Sequence, residues 1–449
     1  MSAIALVFFQ QAMASGMDCT KAATAVENAI CADKGLYQQD AKMGAVYGKL
    51  IKSAPDQKTE IKNAQRLWLK ARNQCDENVA CMNQRYRERL ESLQAQWIDS
   101  VAYTPDEIDK QVLEELRQRV ETASKDDPEF ALEKTLETLT VSVGKTSFSG
   151  DRDDSDLTHF PKNIPKGVTR DEWKALNASS IDTESEIGQN SYVLMDLDGD
   201  QRRDLMVKTY AGGTGLFTYF ETFRRDGERF IKRTAAMDAE SRAESALFTT
   251  NDRGANQAVN WIKMHGKLYA AYRDSSYGVD SVYLLNPLQI NRMVPTLTVR
   301  YRYQLSVPRT QENQDNPVAY ELEPDVQKAL TEGLSKIDEN NTTTSGQQKT
   351  PICPIPPSGP GDDDYYSFGA SYYAIEPVAD VPVILGNDCF IARLISWYGS
   401  YDAKSGLFAQ LALRKPGSEE QGKAYSVNGR RHITQVSASI GKAEGGAAN

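Results

Sequence analysis

Two groups of residues in this chain have types and spacings that could do chemistry. Asp196, Asp198, Asp200 and Asp204 stand at positions 1, 3, 5 and 9 of a loop whose fourth position is Gly199. That spacing converges hard carboxylate oxygens on one centre, with a glycine to permit the tight turn, as Ca²⁺ requires. The Arg202 carbonyl would complete the ring. The loop is not an EF-hand, because its sixth position is Gln201 instead of Gly and its twelfth is Val207 instead of Glu. A solvated acidic hairpin turn would show the same residues, but four carboxylates on nine residues repel one another without a cation, so a structural Ca²⁺ is the expectation.

The second group is the six cysteines. An even number suits an oxidising compartment, where thiols are paired. Cys19, Cys31, Cys75 and Cys81 cluster, while Cys353 and Cys389 stand apart in another region, which predicts bridging within separate units. Four clustered cysteines allow three connectivities. Cys19 with Cys31 and Cys75 with Cys81 is favoured, provided residues 19 to 23 fold back along the helix that follows. A continuous helix over those twelve steps would span about 18 Å, far beyond disulfide reach. Zinc is disfavoured by the absence of a C-x-x-C pair and by three scattered histidines.

The elements that must position these residues fall into two classes. An apolar run from Ala3 to Phe9 followed by Ala12-Met13-Ala14 reads as a signal peptide over residues 1–14, with the mature chain beginning near Ser15. Residues 15–100 read as an all-helical bundle. Thr24 and Glu27 form a capping box, Leu36, Met43, Tyr47 and Leu50 share a face of a second helix, and Pro55 opens a third with Ile61, Ala64, Trp68, Ala71 and Cys75. A fourth carries Met82, Tyr86, Leu90, Leu93 and Trp97. Cys75 and Cys81 would pin the antiparallel turn between the last two. Residues 101–139 read as connecting helices. From Thr140 the pattern changes to strands, among them Tyr192–Met195, Asp204–Val207, Leu216–Phe223, Lys267–Tyr272, Ser281–Leu285 and Leu297–Leu305, between Gly, Asp and Asn turns. The fold class is therefore α+β and multidomain: a disulfide-stapled helical bundle, then a mainly antiparallel β domain over 140–338. Residues 339–364 read as a linker or surface loop, and 365–449 as a β-rich segment packing on the preceding domain. A bridge from Cys353 to Cys389 would tie that loop down.

The run "MDCTKAATAVENAIC", then "QRLWLKARNQC", then "ACMNQRYRERLESL" resembles the LprI-type lysozyme-inhibitor family, whose pattern is a cysteine, a T-x-x-E cap, I-C, then W-L-x-x-R-x-x-C and a second cysteine opening the last helix. The resemblance implies a periplasmic or secreted bacterial protein that binds and blocks a peptidoglycan-cleaving muramidase, a host lysozyme or a rival's effector, in the latter case as an immunity protein. It supplies no inhibitory contact residues. The acidic loop in turn resembles the calcium loop of FG-GAP and VCBS-type β-repeats, D-x-D-G-D-x-x-x-D, departing at Gln201 where Gly is usual.

Charge and motif content narrow the function classes. Residues 15–100 hold thirteen Lys and Arg against eleven Asp and Glu, a net +2, so the rest carries −12 of the total −10. A basic target would therefore meet the acidic C-terminal region. Nucleic-acid binding is not expected, given that balance and the lack of a basic patch with aromatics. No further apolar run of the roughly 20 residues needed to cross a bilayer exists, so no membrane insertion is expected. No H-E-x-x-H, G-x-S-x-G or Walker loop appears, and acidic pairs such as Glu321 and Glu323 read as solvated, so no enzyme is expected. The alternative to an inhibitor is a calcium-stabilised envelope scaffold that binds glycan or protein and inhibits nothing.

Overall fold

A computed structural model describes residues 17–142, 144–152, 158–179, 181, 190–212, 216–232, 246–251, 256–313, 316–337, 376–416 and 423–442. The expected signal peptide, the expected linker and Cys353 lie outside these residues. The chain divides into two compact units, the first ending at Tyr103 and the second starting at Thr104.

The first unit is a helical bundle of α1 (Ala25–Ala32), α2 (Lys34–Ser53), α3 (Lys58–Asn73) and α4 (Val79–Val101). Three of the four helices begin at a side-chain cap, and α3 follows a 3-10 turn opened by Pro55. The Thr24 side chain accepts from the Glu27 amide, and Glu27 Oε2 accepts from the Ala23 and Thr24 amides at 2.9 Å, which closes the capping box. Asp33 caps α2 and Asn78 caps α4, each satisfying an amide with no partner inside the helix. The core is one stripe per helix: Val26 and Ile30, then Leu36, Met43, Val46 and Leu50, then Ile61, then Met82, Tyr86, Leu93 and Trp97. Val46 takes the core position expected of Tyr47, which is half-buried, and Ala64 is exposed. The reason is geometric, since Val46 lies on the Met43–Leu50 line of α2 and α3 turns Gln65 and Arg72 inward with Ile61.

The second unit joins two antiparallel sheets with helices. The strand pattern of the sequence is reproduced and extended. One sheet holds β1 (Thr146–Ser149), β4 (Asn190–Met195), β5 (Asp204–Gly212), β6 (Phe217–Asp226) and β7 (Arg229–Lys232) in that order, with β8 (Phe248–Asn251) on β6; a separate short ladder pairs β2 (Asp151–Arg152) and β3 (Thr158–His159). The other sheet has eight strands. It contains β9 (Gln257–Met264), β10 (Lys267–Ser276), β11 (Val279–Leu285) and β12 (Val294–Ser306), then β15 (Glu376–Leu385), β16 (Asp388–Asp402), β17 (Gly406–Arg414) and β18 (Ala424–Gly441). Its order is β15-β16-β17-β18-β12-β11-β10-β9, and β13 (Thr310–Asn313) with β14 (Asn316–Glu321) forms a hairpin beside it. The C-terminal strands thus continue the same sheet through β12 and β18, paired from Val294↔Gly441 to Ser306↔Asn428.

Helices α5 (Glu107–Ala123), α6 (Ala131–Leu139) and α8 (Pro324–Leu334) cover one face of the eight-stranded sheet. Residues 101–139 are therefore more than a connection. Val112, Leu116, Val120, Leu132 and Leu136 are at most 1% exposed among Leu297, Val299, Leu394 and Leu411 of the sheet. Asp109 is wholly buried in the first turn of α5 and accepts from Tyr269 Oη at 2.7 Å and from Lys267 Nζ at 3.1 Å, which fixes that helix on β10. Between the two sheets lies a second core built from Val193, Met206, Phe220, Phe248, Tyr272 and Tyr283. Helix α7 (Arg170–Ala178) packs on the far face of the six-stranded sheet with Tyr192, Leu194, Val207 and Phe223. No helix among the described residues is long and apolar enough to cross a membrane.

Candidate functional site

In the helical unit the chemistry of the cysteines is spent on cross-links. Cys19 sits in a short 3-10 turn (Cys19–Lys21) and Ala22 is extended, so the chain folds back along α1 and brings Cys19 within a Cα–Cα distance of 5.7 Å of Cys31. Cys75 follows α3 and Cys81 lies in the first turn of α4, 5.6 Å apart, pinning the turn between the two helices. Both bonds are formed as the sequence spacing favoured. Cys389, at the start of β16, is also disulfide-bonded.

The same unit buries a polar ladder that the apolar periodicity does not reveal. Arg72 is 6% exposed. Its Nη1 donates to Tyr86 Oη at 2.9 Å, Tyr86 Oη donates to Asp40 Oδ1 at 2.8 Å, and Arg72 Nη1 lies 3.7 Å from the same carboxylate oxygen. The guanidinium also faces the Trp68 and Tyr86 rings, and burial pushes the Tyr86 hydroxyl well above the usual phenol range. One turn away, Arg89 Nε donates to Gln65 Oε1 at 2.9 Å. Arg72 belongs to the W-L-x-x-R-x-x-C pattern; Arg89 and Gln65 carried no signal, since a lone cation or amide on a helix ordinarily points to water.

In the β unit the acidic loop is the hairpin connection between β4 and β5. Leu197, 3% exposed, packs with Met195 and Leu268 and anchors the base of the loop. Asp196 accepts from the Gly199 and Gln201 amides, at 2.7 and 3.1 Å, and Asp204 accepts from the Leu197 and Arg225 amides, at 2.9 and 2.7 Å. Gly199 has φ +83° and Gln201 φ +67°. The second is a left-handed conformation that favours glycine, which accounts physically for Gln201 being the unusual residue of the motif.

Asp196, Asp198 and Asp204 each bring a carboxylate oxygen within 4.8 Å of the others. Asp200 is outside this group, its Oδ1 taken by the Arg202 amide at 2.8 Å, and the Arg202 side chain reaches the Gly227 carbonyl. Ligands at about 2.4 Å from one Ca²⁺ lie at most about 4.8 Å apart, so the three carboxylates fit the ion in spacing and in donor hardness. Burial, with the Asp198 and Asp200 carboxylates alongside, pushes Asp204 up to about 6. Arg224, a β6 residue distant in sequence, offsets part of this charge from outside the loop, with Nη2 at 3.1 Å from Asp198 Oδ2. Glu321 is paired with Arg309, and Glu323 opens α8.

Residues 18–93 match the family described as "Lysozyme inhibitor LprI". The match spans the stapled helical unit from Asp18 to Leu93 and includes no residue of the β unit. Compared with curated proteins and with solved structures, the chain finds no match.

Proposed function

We propose that this is an extracytoplasmic bacterial binding protein that inhibits a lysozyme or related peptidoglycan muramidase by docking on it, and that it does so without making or breaking bonds of its own. The observation that carries the reading is the family match over residues 18–93. It coincides with a unit closed by two disulfides, and such bonds persist in oxidising compartments. These bonds support a periplasmic or secreted location, and a rival's effector is as suitable a target as a host lysozyme, which would make the protein an immunity factor. Blocking such an enzyme means occupying a cleft where two carboxylates act on the glycosidic bond. In the β unit, Asp196, Asp198 and Asp204 would hold one Ca²⁺, with a structural role in fixing the β4–β5 connection.

The test is protection of a peptidoglycan suspension from clearing by a purified animal lysozyme and by a purified bacterial muramidase. Protection at near-stoichiometric protein is expected. Unchanged clearing by both enzymes at several-fold molar excess of the protein refutes the reading.

A further inference from the structure

Helix α3 is held to its unit by a narrow strip. Ile61, Gln65 and Arg72 are its buried residues, Trp68, Leu69 and Ala71 are half-buried, with Trp68 Nε1 donating to the Arg85 carbonyl at 3.1 Å, and the remaining residues of the helix face water. On that surface stand Ala64 and Leu67, the leucine 67% exposed, the largest fraction among the exposed large apolar side chains of the described residues. Beside them run Lys62, Arg66 and Lys70, all exposed, at i, i+4 and i+8. Glu60 is the sole carboxylate on the helix. Arg66 has a long contact to the neutral Asn63 side chain, at 3.5 Å, and among the described residues none of the three cations is in an ion pair. A basic ladder of this regularity with an apolar side chain at its edge is distinct from the acidic surface to which the overall charge points.

We infer that this face of α3 is the docking surface of the helical unit, and that its occupant is the carboxylate-bearing cleft of the muramidase; the inference rests on the inhibitory reading above. Charge and spacing argue for it. Successive cations on the ladder are about 6 Å apart along the helix axis, and the two carboxyl groups of a glycosidase are roughly 5 to 9.5 Å apart. Two neighbouring rungs therefore reach both carboxylates together, and Leu67 supplies the apolar contact that a purely charged strip lacks. A cation on each carboxylate removes the acid and the base of the reaction at once.

The experiment uses the full chain and a purified muramidase with a soluble oligosaccharide substrate, reading the inhibition constant. The charge-reversed variant Lys62→Glu/Arg66→Glu/Lys70→Glu is expected to inhibit at least tenfold more weakly, and Leu67→Asp by a similar factor, because like charges across a docked interface slow association and oppose docking. The neutral variant Lys62→Gln/Arg66→Gln/Lys70→Gln falls between. Unchanged helical circular dichroism shows the fold intact, as expected of exposed positions. Lys328→Glu, on α8 of the other unit and exposed, is the control for a charge reversal away from the ladder. Wild-type inhibition by the charge-reversed variant, or equal loss in Lys328→Glu, overturns this surface while leaving the inhibitory reading standing. Failure of the unaltered protein to inhibit overturns both. Sedimentation with insoluble peptidoglycan in the absence of enzyme, abolished by the same charge reversal, would assign the ladder to the glycan and overturn the inference.

Discussion

Replacing Arg72 with methionine keeps most of the side-chain volume but withdraws the cation that faces Tyr86 and Asp40 in the buried ladder of the helical unit, leaving Arg89 in place. Arg72 lies 6% exposed, and its loss deletes the hydrogen bonds to Tyr86 Oη and Asn73 Oδ1 together with the 3.7 Å ion pair to Asp40. Removing one partner of a buried pair typically costs about 3 to 5 kcal/mol because a charge stays behind uncompensated. Here Asp40 retains two donors, Tyr86 Oη at 2.8 Å and the Met17 amide at 2.9 Å, so the cost falls at the lower end, about 3 kcal/mol. At about 1.4 kcal/mol per decade this is a roughly 150-fold larger open population of α3 and α4. Amide hydrogen exchange of peptides from these two helices in the full chain reads it directly, without assuming that a two-unit protein unfolds in one step. Adding Asp40→Asn should recover part of the loss, since it neutralises the stranded charge. A change below about 1 kcal/mol in Arg72→Met, or strict additivity with Asp40→Asn, refutes the view that this ladder holds α3 in place.

Three further outcomes follow from the same geometry. About 10 mM Ca²⁺ against an affinity near 1 mM should stabilise the β unit by roughly 1.4 kcal/mol, seen as a calorimetric shift of a few degrees that chelator reverses and that Asp198→Asn or Asp204→Asn abolishes; no shift in the unaltered protein removes the ion from the account. Exchange of Cys19 and Cys31 for serine should destabilise the helical unit by about 3 kcal/mol and exchange of Cys75 and Cys81 by slightly less, from the lengths of the loops they close, measured by amide exchange in α1 and α4. For Glu133, burial alone would raise the carboxyl, but the Arg431 and Arg273 guanidiniums outweigh it and hold it below its ordinary value of 4.5. Its contribution to stability is therefore present above pH 4.5 and lost as pH falls through the depressed value. Glu133→Gln should flatten the acid limb of a stability profile of the β unit below that pH, and an unchanged limb contradicts the ion-pair assignment.

The helical unit was legible because its information is local: a capping box, cysteines at helix ends and a three-four apolar spacing each act within one or two turns. Both disulfides of this unit are as the spacing favoured. What escaped was the polar part of its interior, where Gln65, Arg72 and Arg89 replace apolar residues and are satisfied by partners on other helices. The strands were readable one by one from their β-branched and aromatic runs, yet the pairing of β12 with β18 joins segments more than a hundred residues apart, and nothing within either strand announces it. Residues 101–139 looked like a connection because amphipathicity shows that a face is covered without showing by what. At the acidic loop, the converging aspartates followed from their spacing, whereas Arg224 and the turning-away of Asp200 depend on which strand lies next to β5 and how the loop closes.

The position of β18 between β17 and β12 bears on how this chain is made. Ribosomes deliver β9 to β12 long before β18, so the nascent sheet presents the full length of β12 as a bare edge, thirteen residues from Val294 to Ser306 with alternate side chains apolar. Such an edge is a template for pairing with a neighbouring polypeptide. A nonsense mutation between Ser306 and Ala424 would leave that edge uncovered and release a product prone to aggregate, even though β9 to β12 are intact.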